Sequence, residues 1–232
     1  MLLLNEDGSR KLTTFGNMTG EPSEEDGKFN RPLGIACNLD GSILVGDVEN
    51  HRVQIFDARG IFVRKFGSCG KGKDPIHLRS IRHMCMLDSR LNSHSFSPLI
   101  LIADKRRYRI SIWSADGSQH IANIQVQSQP LGVCVDLNGF IHVSCWTTNT
   151  VQVYDPRNGY ALMQKLGSTG DQPGQLHCPA GLCVDEFNTL IVAETHNRRL
   201  QFFRAWLCDE NNQIRLTCMS YKIFIIPNSL TS

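Results

Sequence analysis

The stretch FNRPLGIACNLDGSILVGDVENHRVQIFDARGIFVRKFG, residues 29–67, contains four short runs in which apolar and polar residues alternate. The runs are GIACN, SILVGD, RVQIFD and IFVRKFG, and the turn sequences LDG and DARG separate the first from the second and the third from the fourth. Such alternation is typical of strands with one buried face, and the turns favour hairpins. The stretch therefore predicts a four-stranded antiparallel unit.

Related stretches recur along the chain. RPLGIACNLDGSILVGD (31–47), QPLGVCVDLNGFIHVSC (129–145) and CPAGLCVDEFNTLIVAE (178–194) align without a gap, and a divergent, interrupted copy lies at 80–104. The prolines of these copies and the Phe-Gly or Leu-Gly pairs that follow them both indicate a period of about fifty residues. Four strands at this period are typical of a β-propeller blade. A β-sandwich or a leucine-rich solenoid would not show this repeat.

The same residues resemble the NHL repeat of TRIM-NHL proteins of the Brat kind. Residues 29–67, residues 167–203 and the Asn-His-Arg and Asn-Arg-Arg triplets at 50–52 and 197–199 carry the resemblance, which extends over roughly 12–204. It implies an all-β, NHL-type β-propeller. Family propellers close with about six blades. This sequence indicates about four blades of four antiparallel strands, so we expect an incomplete ring and a fragment or truncated product.

The predicted organisation has three parts. The first is the end of a preceding blade with a linker, and the second holds four repeats. The third is a divergent tail, for which an outer strand and an unrelated tail are the two interpretations. The bounds of the three parts are 1–28, then 29–204 with repeats at 29–75, 76–128, 129–175 and 176–204, and finally 205–232.

Composition limits the function. The chain has 232 residues and a net charge of +2, so its overall charge gives no attraction to nucleic acid or to a membrane surface. No run is long and apolar enough to span a bilayer, and the start lacks the features of a signal peptide. The nine cysteines include no CxxC pair. We therefore expect a reducing, cytoplasmic setting and no membrane partner.

Three repeats carry an acidic residue five positions before an arginine. In the third repeat both members change together. Because an arginine fork can close a turn by paired hydrogen bonds to a carboxylate, and because loss of one partner would strand a charge, we expect structural ion pairs. The pairs are Asp47/Arg52, Asp104/Arg109 and Glu194/Arg199, and the third repeat has Cys145 and Thr150 instead.

Two further residue classes are interpreted as structural. The aromatic residues that close the third strand of each repeat are expected in the core, and the glycines that follow the repeat prolines are expected to serve a backbone turn. The aromatic residues are Phe56, Trp113, Tyr154 and Phe203, and the glycines are Gly34, Gly132 and Gly181.

Signals of catalysis are missing from the sequence. It contains no phosphate-binding glycine loop, no GxSxG and no HxxxH or HExxH spacing, and Cys178 with Cys183 is a poor zinc pair. We therefore expect no enzyme, no metal, no cofactor and no small-molecule substrate. A propeller lyase of the amidating type would need recurring metal ligands on the central axis. Ubiquitin-ligase activity would require a RING domain in a longer parent chain.

Basic residues concentrate in one part of the chain. Between 71 and 109 nine lysines and arginines face three aspartates, and Trp146 follows in the next repeat. Cations for phosphates and a flat ring for a base suit single-stranded RNA. The TRIM-NHL resemblance implies that the propeller face on which these residues lie binds single-stranded RNA or RNA hairpins in post-transcriptional regulation. The residues selected are Arg31, Arg82, Lys105, Arg106, Trp146 and His196.

Two alternatives remain open for this face. A solvated charged surface is the usual role of a charge run. A protein-interaction scaffold that recruits partners or ubiquitylation substrates is the principal rival, and Leu33, Leu131 and Ala180 suit a base reader poorly. Steep salt dependence would separate RNA binding from an apolar protein interface.

Overall fold

The computed structural model describes residues 1–4, 9, 11–17, 20–70, 74–91, 97–206 and 215–221. These residues form four four-stranded sheets and one two-stranded sheet. Short 3-10 turns occur at 89–91, 105–107 and 156–158, and no α-helix is present in these ranges. The described part of the chain is therefore all-β.

The strands follow one another in the order that the repeat predicts. They are β1 (Leu2–Leu4), β2 (Lys11–Thr14), β3 (Pro32–Cys37), β4 (Ile43–Asp47), β5 (Arg52–Phe56), β6 (Phe62–Phe66), β7 (Ile81–Leu87), β8 (Leu99–Asp104), β9 (Arg109–Ser114), β10 (His120–Gln125), β11 (Pro130–Val135), β12 (Ile141–Cys145), β13 (Thr150–Asp155), β14 (Ala161–Leu166), β15 (Pro179–Val184), β16 (Thr189–Glu194), β17 (Arg199–Trp206) and β18 (Arg215–Tyr221).

Each four-stranded sheet is an antiparallel meander in chain order: β3 to β6, β7 to β10, β11 to β14 and β15 to β18. The first strands of neighbouring sheets lie side by side, β3 against β7, β7 against β11, and β11 against β15. Sheets that meet at their first strands radiate from a common axis, as propeller blades do. The predicted all-β propeller with four blades of four antiparallel strands is confirmed.

A register shift marks the start of every first strand. It lies between Pro32 and Ile35 in the first blade and between Pro130 and Val133 in the third. The strand start accommodates the repeat proline, because a residue at a bulge does not have to donate an N–H to the neighbouring strand. The prediction that the glycine after the repeat proline serves a turn is wrong, since Gly132 lies inside β11. A Cβ on Gly132 would meet the Ala180 carbonyl oxygen and the Ser144 hydroxyl, so this glycine permits close packing of blades. Gly34 and Gly181 likewise lie inside β3 and β15 and serve no turn.

Apolar clusters fill the spaces between blades. One joins the first and second blades, one the second and third, and one the third and fourth. The aromatic residues that close the third strands are 1–4% exposed, as expected of core residues: Phe56, Trp113, Tyr154 and Phe203. Since each cluster takes side chains from two sheets, neighbouring blades stabilise one another.

The two ends of the described chain extend this pattern. At the amino-terminal end, β1 pairs with β2, and Phe15 just after β2 packs on Phe56 with ring centroids 4.8 Å apart. At the other end, β18 pairs with β17 as the outer strand of the fourth blade. This strand lies in the segment for which the sequence left an outer strand open. The expected turn at 211–212 and the last residues, 222–232, lie outside the described ranges.

Candidate nucleic-acid interface

One end of every blade carries the start of its first strand and the turn between its second and third strands. We call this end the loop face. In the first blade its turn is built on the fully buried carboxylate of Asp47. That carboxylate accepts hydrogen bonds from the Asn30 backbone at 2.6 Å, Asn50 Nδ2 at 2.8 Å, Arg52 Nε at 2.8 Å and Gln54 Nε2 at 3.2 Å. Four donors satisfy a charge that burial would otherwise penalise heavily.

The fourth blade repeats this arrangement. Glu194 accepts from the His177 backbone at 2.8 Å, Asn197 Nδ2 at 2.6 Å, Arg199 Nε at 2.6 Å and Gln201 Nε2 at 2.7 Å. The longer glutamate does the work of the aspartate with the same set of donors. The turn therefore depends on a buried carboxylate and four fixed donors, whichever acid supplies it.

The arginines bond differently from the expected paired fork. Arg52 reaches Asp47 through Nε and donates its Nη2 to the carbonyls of Glu25 and Lys28, at 2.9 and 3.1 Å. The guanidinium thus ties the turn to the loop that precedes the blade. The glutamines two residues after each arginine, Gln54 and Gln201, were missed in the sequence although they recur as Arg-x-Gln.

The second and third blades depart from this network. Arg109 Nε lies 3.6 Å from Asp104 Oδ2, and burial raises the pKa of Asp104 despite backbone hydrogen bonds from Ser80 and Arg79. In the third blade Cys145 stands opposite Thr150 with no charge on either residue. Ser144 instead links Gly132 to Ala180, accepting from the glycine N–H at 2.7 Å and donating to the carbonyl at 2.6 Å.

Every turn of the loop face contains one residue in the left-handed region. The residues with positive φ are His51, Tyr108, Asn149 and Arg198, at 50° to 55°. The conformation reverses the chain just before the third strand, which a non-glycine residue adopts only when surrounding contacts hold it. The four turns therefore share one backbone shape and differ in the side chains they present.

The structure brings five of the six predicted RNA-binding residues together. They lie on the loop face of the first three blades, and we call this group the basic cluster: Arg31, Arg82, Lys105, Arg106 and Trp146. Arg31 pairs with Glu49 at 3.3 Å. Among the described residues no carboxylate pairs with Arg82, Lys105 or Arg106, and Arg82 Nε is buried without a hydrogen-bond partner there.

Like charges act on one another within the basic cluster. Burial lowers the pKa of Arg82, and the neighbouring charges of Arg31 and Arg106 lower it further. Burial likewise lowers the pKa of Lys105, with added repulsion from Arg82 and Arg106. Cations held together at such a cost are common where a protein receives an anion. Lys71 and Lys73, which add to the basic run in the sequence, lie outside the described residues.

Two aromatic side chains border the cations. The Lys105 ammonium lies 4.7 Å from the centre of the Trp146 ring, and Trp146 is half-buried where the sequence favoured an exposed ring. Tyr108 is 43% exposed, and its hydroxyl accepts a hydrogen bond from Gln129 at 3.3 Å. Tyr108 also opposes part of the lowering of the Lys105 pKa. Tyr108 was not predicted from the sequence, although it occupies the repeat position of His51, directly before the arginine.

Comparisons with known proteins concern the repeat and the fold. Residues 29–56 match the NHL repeat family. An NHL repeat therefore lies in the first blade. The chain is similar to Protein brain tumor of Drosophila melanogaster, 32% identical over 145 residues, which are 62% of this chain and 13% of that protein. It is also similar to the RING finger protein nhl-1 of Caenorhabditis elegans, 43% identical over 53 residues, 23% of this chain and 5% of that one.

A further relative is the B-box type zinc finger protein ncl-1 of Caenorhabditis elegans. It is 46% identical over 43 residues, which are 18% of the NHL-repeat chain and 5% of that protein. The NHL-repeat chain thus spans at most 13% of the length of these three relatives. Their names describe much longer proteins.

Solved structures share the fold of the NHL-repeat chain. A streptogramin B lyase matches with a TM-score of 0.57 and 16% identity, over 90% of this chain and 58% of that one. The hydrazine synthase of Kuenenia stuttgartiensis matches with a TM-score of 0.57 and 14% identity, over 88% of this chain and 53% of that one. Similarity at this identity concerns the fold alone.

His196 lies apart from the basic cluster, in the fourth blade of the NHL-repeat chain. Its ring stacks on that of His177 with centroids 4.8 Å apart, and its Nδ1 lies 3.3 Å from the Thr195 hydroxyl. One ligand atom each of His177, Cys178 and His196 lie within 4.8 Å of one another. The sequence missed this group because no short spacing joins Cys178 to His196.

None of the helices in the described ranges has the length and apolar character to cross a membrane.

Proposed function

We propose that this chain is a non-enzymatic binding module whose basic cluster binds single-stranded RNA or the loop of an RNA hairpin. The observation that carries the proposal is the grouping of Arg82, Lys105 and Arg106 without a paired carboxylate among the described residues, next to Trp146. Phosphates would relieve the repulsion among these cations. Bases, which are accessible only where RNA is single-stranded, would stack on the neighbouring rings.

Each residue of the cluster would have a distinct task. Arg82 and Arg106 would bind phosphates, and burial beside Arg31 would make Arg82 a preorganised contact. Lys105 covers the Trp146 ring in the free chain, so it would move toward a phosphate when a base stacks on that ring. Tyr108 would offer a second stacking surface. His196, in the fourth-blade turn that follows the Trp146 turn along the loop face, is assigned no part in this contact.

Binding of a protein is the second candidate function. In that case the propeller would recruit partners or ubiquitylation substrates to a longer parent chain. Two exposed apolar residues of β3 favour this function: Leu33 is 45% and Ile35 is 47% exposed, close in sequence to Arg31. Apolar area beside a charged rim is common in protein interfaces. Such an interface would depend on Leu33 and would respond weakly to salt.

The test is fluorescence anisotropy of the full chain with short U-rich and mixed-sequence single-stranded RNA across a salt series. Arg106→Ala should weaken binding similarly for all sequences and reduce the salt slope by about one unit, because one phosphate contact is lost. Trp146→Ala should cost about 1–3 kcal/mol of binding free energy and leave the salt slope nearly unchanged, because stacking is lost.

Arg59→Ala is the matched control. Its side chain is 80% exposed on the turn between β5 and β6, at the opposite end of the blade from the loop face. It removes the same charge from the whole chain and should change neither affinity nor slope. Absence of binding at low salt, or binding indifferent to both Arg106 and Trp146, would reject the RNA proposal. Loss of partner binding on Leu33→Ser would then support the second candidate.

A further inference from the structure

Three metal-binding side chains meet on the loop face of the fourth blade. His177 and Cys178 end the loop that leads into β15, and His196 lies in the turn between β16 and β17. Their ligand atoms are within 4.8 Å of one another, although Cys178 and His196 are eighteen positions apart in the sequence. Tetrahedral Zn²⁺ with Zn–S of about 2.3 Å and Zn–N of about 2.0 Å holds neighbouring donor atoms roughly 3.3–3.6 Å apart, so small side-chain rotations would bring the three ligand atoms onto one ion.

Surrounding hydrogen bonds fix the backbone of His177 and Cys178 and contact the ring of His196. The backbone N–H of His177 donates to Glu194 Oε1 at 2.8 Å, and the backbone N–H of Cys178 donates to Asn149 Oδ1 at 2.8 Å. Thr195 donates from its hydroxyl to the Cys178 carbonyl at 3.0 Å and lies 3.3 Å from His196 Nδ1. A partner at Nδ1 orients an imidazole and leaves Nε2 for a metal, as outer hydrogen bonds do in known zinc sites.

We propose that His177, Cys178 and His196 bind Zn²⁺ with one coordination position left open. One thiolate and two imidazoles are a donor set that suits borderline metals, and Zn²⁺ is the commonest of these with such ligands. Cys178 loses its thiol proton to solvent when it coordinates. His177 and Cys178 are partly buried and His196 is exposed, so the metal would be reached from the loop face.

The metal would cross-link two segments of the fourth blade. It would join the loop before β15 to the turn after β16, which the backbone bond from Thr195 N–H to the Cys178 carbonyl at 3.2 Å already brings together. Because the folded chain assembles the ligands and the unfolded chain does not, Zn²⁺ should raise the melting temperature. The proposal does not depend on RNA binding.

The experiment is a titration of the reduced full chain with Co²⁺, which reports its ligands by absorption, followed by displacement with Zn²⁺. A sulfur-to-cobalt charge-transfer band and the d–d bands of a tetrahedral ion are expected, and both should vanish when Zn²⁺ is added. Cys178→Ser should abolish the charge-transfer band. His196→Ala should weaken Zn²⁺ binding by at least about tenfold, as loss of a ligand or its support does elsewhere.

Controls separate this site from other thiols and imidazoles. Cys37→Ser removes an exposed cysteine in β3 and His120→Ala removes a histidine in β10, and neither should change the spectrum. His196 is exposed, so its replacement leaves the core intact and keeps the test valid if Cys178→Ser fails to fold. A wild-type chain without the charge-transfer band, or a band that persists in Cys178→Ser, would overturn the proposal. Unchanged affinity in His196→Ala would do the same.

Discussion

The turns of the first and fourth blades differ from those of the second and third. In the first and fourth, an asparagine three residues after the acid closes the network, as Asn50 does to Asp47 at 2.8 Å and Asn197 to Glu194 at 2.6 Å. In the second and third, Arg107 and Thr148 occupy that position. The candidate RNA-binding residues Lys105, Arg106 and Trp146 all lie in these second and third turns. The turns that lack this asparagine are thus the ones that carry candidate binding side chains.

The largest expected effect is loss of a network carboxylate. Glu194→Ala leaves the guanidinium of Arg199, which is only 5% exposed, without its anion and removes the acceptor of four donors. We expect it to reduce the free energy of unfolding by about 3–5 kcal/mol. Cys145→Ala, at the matched position of the third blade, should cost about 1 kcal/mol, because no charge is stranded. Denaturation in urea measures both, and equal costs would remove the distinction between the two kinds of turn.

The next effect tests how the third blade manages without the network. Gly132→Ala would push a Cβ against the Ala180 carbonyl and the Ser144 hydroxyl, so we expect a cost of about 1–3 kcal/mol from overpacking. Gly181→Ala is the control, since its Cβ would meet Ala193 at an ordinary 3.6 Å. Comparable melting temperatures for the two variants would mean that the contact between the third and fourth blades has slack.

A smaller effect distinguishes the first blade from the second. Arg52 donates to Asp47 at 2.8 Å, whereas Arg109 lies 3.6 Å from Asp104. Arg52→Ala should therefore destabilise the chain by about 1 kcal/mol more than Arg109→Ala, the worth of one well-formed hydrogen bond. The comparison uses the same substitution at the same register position. A larger cost for Arg109→Ala would contradict the interpretation that the second turn is the looser one.

The smallest effect concerns acid. Burial raises the folded-state pKa of Asp104, so its charge lowers stability above that pKa, and the penalty disappears as pH falls through it. Wild type should therefore gain stability relative to Asp104→Asn as pH falls toward 4. Asp116 gives the opposite sign: a hydrogen bond from the Ser114 hydroxyl lowers its pKa to about 2, so its contribution is present above the unfolded value of 3.8 and is lost toward pH 2. Unfolding curves of the two Asn variants across this range measure both slopes.

Local pattern was sufficient for much of the architecture. Alternating runs, the turns LDG and DARG and the repeat proline predicted four strands per blade, and the pairing of Asp47 with Arg52 could be inferred from their joint replacement in the third repeat. These features are local because a strand or hairpin depends on residues within a few positions of one another. The same logic failed for Gly132, whose neighbour is a carbonyl of the next blade, forty-eight residues away in the chain.

The sequence by itself determined the repeat, the all-β class and the loop that carries the basic residues. Only the tertiary structure decided which side chains meet. Lys105 lies over Trp146 because neighbouring blades bring their turns together, Gln201 reaches Glu194 across a hairpin, and His196 joins His177 and Cys178 because β16 pairs with β15. Such groupings join residues from separate turns, and their distances depend on blade packing. Periodicity within one repeat carries no information about that packing.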